Sequence, residues 1–188
     1  MVIHQYVNRP GSGDVSLGRQ AGRLDVIAGD APPASSAGPD EHDYSRLAEQ
    51  ASRRYQLTLI DPGAAEVTRI LGVADQLVLV APASADAPRS LGMTQEWLAG
   101  HGYGDLSARA VTVVNGVSKA SMGDVEQAES VARGRCRAIV RIPWDDMLGA
   151  GTVGISSLRP QARHAYTALA GVLVAGLAAA PVPRRVLQ

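Results

Sequence analysis

Three short stretches carry the residue types that could do chemistry. In "YQLTLIDPG", Tyr55 to Gly63, an apolar run ends on the carboxylate of Asp61. A carboxylate at the last position of a buried strand sits at the mouth of its sheet. There it could hold Mg²⁺ through water or orient a hydrolytic water, with the backbone at Gly63 free to approach a phosphate. The same Asp61 could instead cap the next helix or form a turn with Pro62. In "AVTVVNG", Asn115 ends a second apolar run. Its amide offers both a donor and an acceptor, which suits a base edge, but Asn-Gly is also an ordinary turn pair. In "RIPWDD", Pro143 fixes the backbone after a third run, and Asp145 follows two residues later. That loop could present free carbonyls to a base amine, or be a plain strand exit with an Asp-capped turn. Trp144 reads as packing or as a lid.

Several other chemistries are excluded or poorly supported. "GAGTVG", Gly149 to Gly154, has the G-x-G-x-x-G letters of a dinucleotide loop. It does not follow its strand directly, and no Asp or Glu occurs after Asp146 to hold a ribose. "GSGDVSLG", Gly11 to Gly18, resembles a phosphate loop in composition only. A Walker A loop needs G-K-[ST], and the single lysine, Lys119, is followed by Ala120. The four histidines lack ligand spacing, and one cysteine, Cys136, excludes an internal disulfide and a multi-cysteine zinc site.

The elements that must position these residues follow from hydrophobic patterning. Strands are predicted at Arg23–Gly29, Gln56–Asp61, Gln76–Pro82, Ala110–Gly116 and Arg137–Pro143. Helices are predicted near Asp43–Arg54, Ala64–Gly72, Pro88–Gly100, Met122–Arg133 and Leu158–Leu177. The later strands are continuous apolar runs, so both faces are buried, and strands alternate with helices. This predicts an α/β fold, a doubly wound and mostly parallel sheet with helices on both faces. Ligands of such folds bind beyond the carboxyl ends of the strands, where Asp61, Asn115, Pro143 and Asp145 fall. The expected organisation is an irregular segment over 1–23, one α/β domain over 24–178 and a tail over 179–188.

The chain has 188 residues, 46 % of them hydrophobic, enough for one domain with a core. Formal net charge is zero, so charge does not indicate DNA or an anionic membrane. With no signal-peptide pattern, the expected location is the cytoplasm. The apolar stretch Ala165–Val182 is rich in Ala and interrupted by Gly171, Gly176 and Pro181, which suits a helix docked on a sheet better than a membrane span.

The order "LDVIAGD", "YQLTLIDPGAA", "ADQLVLVAP", "EWLAGHGY", "AVTVVNGV", "RCRAIVRIPWDD" and "LRPQARHAYTALA" resembles the MinD/ParA-type P-loop ATPases, and within them a branch associated with ESX (type VII) secretion. The resemblance runs from about His4 to Leu177. It implies that Asp61 organises Mg²⁺ and water, that Gly63 adjoins the phosphate, that Asn115 reads adenine and that Pro143 and Asp145 close over the base. It implies ATP and Mg²⁺ as cofactors, and a homodimer serving secretion or partitioning machinery. The family's first strand, Walker A loop and helix have no counterpart here. The resemblance therefore implies an N-terminally truncated, incomplete P-loop fold, inactive alone. The alternative is a non-catalytic relative that acts as an interaction module.

Overall fold

The computed structural model describes residues 46, 50, 55, 57–62, 67–150 and 154–179. The chain divides into two compact units, Met1–Ala74 and Asp75–Gln188.

In the first unit, Arg46 and Gln50 are helical and exposed, within the expected helix 43–54. A short helix, α1 (Val67–Leu71), buries Ile70 and Leu71 and occupies part of the helix expected over 64–72. The expected strand ending on Asp61 is corrected. Residues 57–62 carry no regular secondary structure, and Leu57 is 45 % exposed. An apolar run becomes a strand only when a neighbour takes up its backbone N–H and C=O groups. Residues 57–62 have no ladder partner among the described residues. The expected strand 23–29 lies outside the described residues.

The second unit is built as its sequence pattern predicts. β1 (Val78–Pro82), β2 (Val111–Val117) and β3 (Ala138–Pro143) form a parallel sheet in the order β1-β2-β3. Val78 pairs with Val111, and Val111 with Ala138, so the three strands enter the sheet level with one another. Parallel neighbours need crossovers. The first is α2 (Ala87–Gly100) followed by a short helix, α3 (Gly104–Ala108), and the second is α4 (Met122–Ala132). The last helix is α5 (Pro160–Ala179).

The reason for this layering lies in β2. Its residues Val111 to Val114 are all buried, on both faces of the strand. On one face Val111, Val113 and Ile142 form a cluster, against which Ala165, Tyr166, Leu169, Val172 and Leu173 of α5 pack. α2 packs on β1, α4 packs on β2, and the two helices pack on each other. Their buried residues, Leu91 and Leu98 on α2 and Val125, Ala128 and Ala132 on α4, recur at helical spacing. Each apolar side chain fully buried contributes on the order of 1.5–3 kcal/mol. α5 is long and apolar enough to cross a membrane by length and composition, and here one of its faces is spent on the sheet.

β3 is tied to α4 by charge. Arg141 donates from Nε to Glu129 Oε1, and from Nη2 to Glu129 Oε2 at 2.7 Å. This fork holds the Glu129 carboxyl below its ordinary value of 4.5, chiefly through the hydrogen bond and then through charge. Glu129 is charged more easily folded than unfolded, so its stabilisation is present above pH 4.5 and is lost as pH falls through the lowered folded value. Because Arg141 is partly exposed, Glu129→Gln is expected to cost no more than about 1 kcal/mol at neutral pH. Thermal melts of both proteins should converge on acidification below the ordinary carboxylate range. A gap that stays constant with pH would show that the ion pair does not contribute in this way.

Candidate functional site at the carboxyl end of the sheet

The carboxyl ends of the three strands bring Asn115, Pro143 and Asp145 together in the second unit. Pro82 and Ile142 are the partners of Asn115 across the sheet, and the Asn115 carbonyl accepts from Ala83 N at 2.9 Å. The register then slips between Asn115 and Val117, a bulge centred on Gly116. Gly116 has φ +80°, a left-handed conformation that glycine adopts without steric cost. The ladder resumes beyond it, with Pro143 against Val117 and Trp144 N donating to Val117 O at 2.9 Å. The bulge leaves Asn115 exposed and Pro143 half-buried.

Asp145 is placed otherwise than at a ligand mouth. It is 3 % exposed. Its Oδ1 accepts from Met147 N at 3.0 Å, and its Oδ2 from Arg159 N at 2.7 Å, one residue before α5. The carboxylate thus closes the turn after β3 and supplies an acceptor at the start of α5, where the helix dipole favours a negative charge. Burial pushes the Tyr166 phenol above its ordinary value, and the Asp145 charge adds to the effect.

Trp144 was the residue the sequence undersold. Its ring is 60 % exposed, and a Cβ on Gly116 would lie 3.6 Å from its Cε3. Its Nε1 donates to Asp146 Oδ1 at 2.8 Å, and Asp146 Oδ2 accepts from Arg159 Nη2. The indole is therefore aimed by a carboxylate that is itself held by an arginine. Two cues in the sequence pointed to this: an acidic residue two places after the Trp, and a glycine at the neighbouring strand end. Beside Trp144, Met147, Leu148 and Ile155 are also substantially exposed.

Asp61 lies in the first unit and is exposed, and Gly63 is outside the described residues. The phosphate-like loop at Gly11 to Gly18 is also outside them. Cys136 is half-buried, with Sγ 3.4 Å from the carbonyls of Ala132 and Ala138. Both oxygens of Asp145 are committed to backbone N–H groups, and among the described residues no three His, Cys, Asp or Glu side chains group to hold a metal.

Comparison with known proteins replaces the family expectation. No family profile matches the chain, and no solved structure does. The chain is 33 % identical over 156 residues to the ESX-1 secretion-associated protein EspI of Mycobacterium tuberculosis, in strains CDC 1551 / Oshkosh and ATCC 25618 / H37Rv. The match takes in 76 % of this chain and 23 % of each relative, so the chain spans about a quarter of their length. The expectation of a MinD/ParA-type ATPase, with its partitioning role, is thereby corrected. The similarity found is to a secretion-associated protein, and neither the match nor its description carries ATPase activity. The short motifs behind that expectation have structural reasons of their own, seen at Gly116 and Asp145.

Two substitutions test the local account. Asp145→Ala strands two backbone N–H groups, and is expected to cost on the order of 1–3 kcal/mol for each donor left buried, read as a lower midpoint in urea unfolding. Gly116→Ala should cost about 1–2 kcal/mol through its backbone conformation alone, since a methyl group fits beside Trp144. Wild-type midpoints for both variants would refute it.

Proposed function

We propose that the chain is a module of a secretion-associated protein and serves ESX-type secretion machinery by holding a partner, not by turning over nucleotide. The observation that carries this reading is the 33 % identity to EspI across 76 % of the chain. The carboxyl end of the sheet supports a binding role, since it offers exposed large apolar side chains on a braced loop. The committed oxygens of Asp145 support a site that works without ATP and Mg²⁺. In this reading the protein acts on the cytoplasmic side of the machinery.

The finer architecture is part of the proposal. We take the sheet as doubly wound, with α5 on one face and α2 and α4 on the other. The sequential parallel order supports this, because successive right-handed crossovers put α2 and α4 on one side.

Two measurements test the function. Deleting the gene in its native host should reduce export of ESX-dependent substrates into the culture medium, and the wild-type copy should restore it. Undiminished export would remove the secretion role. Isothermal titration of the purified chain with Mg-ATP should show no binding at micromolar concentrations. A saturable micromolar isotherm would overturn the nucleotide-free reading.

A further inference from the structure

The helix α2 turns a self-complementary face to solvent. Its buried residues, Ala87, Leu91, Gln95 and Leu98, define the side packed within the second unit. At about 100° per residue, Arg89, Met93 and Glu96 fall on the opposite side of the same helix. All three are exposed, Met93 at 59 %. Trp97, one turn beyond Met93, is 36 % exposed. One regular helix of 14 residues carries all four, so they make a single continuous surface.

The tryptophan is held in place by its own neighbours. The His101 ring stacks on the Trp97 indole with 4.1 Å between centroids, and its Nδ1 donates to Trp97 O at 2.8 Å. Tyr103 stacks on the indole at 6.5 Å, and its N donates to Leu98 O at 2.8 Å. Gly102, at φ +83°, makes the turn that brings Tyr103 back. The indole therefore meets a partner in a preset position, which lowers the entropy lost on association.

Charge selects the occupant. Arg89 and Glu96 have no ion-pair partner among the described residues. The cation lies four residues before Met93 and the anion three after it. Reversing the helix about Met93 exchanges these places, so each charge meets its opposite on another copy. The same operation sets Arg89 over the indole of Trp97 in that copy, the ring best suited to a guanidinium. The two helix dipoles then run antiparallel, which favours the pair. A partner of one sign of charge would leave either Arg89 or Glu96 facing its like.

We propose that the chain forms a two-fold dimer through α2, with the helices antiparallel, Met93 at the axis and an Arg89–Glu96 pair on each side of it. This goes beyond the secretion-associated reading and does not require it. A helix of 14 residues is about 21 Å long, so the pair lies at the small end of specific interfaces, below about 1,200 Å². Such a dimer is reversible, with a dissociation constant on the order of 10–100 µM.

Sedimentation equilibrium of the full 188-residue chain, over concentrations spanning that constant, provides the test. A monomer–dimer equilibrium that weakens with added salt is expected. Arg89→Glu alone and Glu96→Arg alone should each weaken the dimer by about tenfold or more, because each sets like charges against each other on both sides of the axis. The double variant Arg89→Glu/Glu96→Arg should regain most of the affinity, which a purely structural role of either residue would not produce. Met93→Cys, in a Cys136→Ser background, should cross-link to a covalent dimer on mild oxidation, and adding Arg89→Glu should slow that cross-link. A chain that stays monomeric throughout, single reversals without effect, or a double reversal no better than the singles would overturn the proposal. So would a dimer that Trp144→Ala dissolves, since it would then form through the β3–α5 loop. Every readout is independent of export in cells, so either reading can fail alone.

Discussion

Val111 to Val114 of β2 are buried in succession, and the second unit is arranged around that fact. A strand with no polar face must be covered on both sides. α5 supplies one cover, and α2 and α4 are the crossovers that parallel pairing of β1, β2 and β3 demands. Apart from Thr112 within β2 and Arg141 within β3, the polar side chains of the sheet lie toward its ends, and the carboxyl edge is where Asn115, Trp144 and Asp145 collect.

At that edge, folding and function compete for the same groups. The Gly116 bulge ends the regular ladder, and Trp144 covers the backbone it exposes. Asp145 closes the turn after β3 by accepting from Met147 N and accepts from Arg159 N just before α5, which takes both of its oxygens. Asp146 spends its own carboxylate on Trp144 and Arg159. The acids of the loop serve to hold its described parts in shape, while Trp144, Met147, Leu148 and Ile155 remain exposed.

Much of the second unit was legible in the sequence, because continuous apolar runs between amphipathic helices leave few arrangements open. β1 and β3 lie within the predicted runs, β2 runs one residue past its own, and α2, α4 and α5 end within about two residues of expectation. α3 was missed, since five residues carry too little periodicity to see. The run 57–61 misled for the opposite reason. Its residue types favour a strand, but pairing is a property of neighbours, which one segment cannot reveal. The role of Trp144 was only half legible, because the sequence shows an Asp two places on without showing which atoms meet.

The case of Asp145 explains why the resemblance to an ATPase was persuasive and still needed correcting. A parallel strand leading into a loop and a helix has recurring needs: a proline or glycine to leave the ladder, and a carboxylate to satisfy the next helix start. Those needs produce Asn-Gly and Pro-x-Asp at strand ends whether or not a nucleotide is bound. Such motifs become evidence for a ligand only when their polar atoms remain available to it. Asp145, at 3 % exposure with two backbone donors, has none to spare. What the loop leaves available is its exposed apolar side chains, and the similarity found over 76 % of the chain is to a secretion-associated protein, which the local letters alone did not single out.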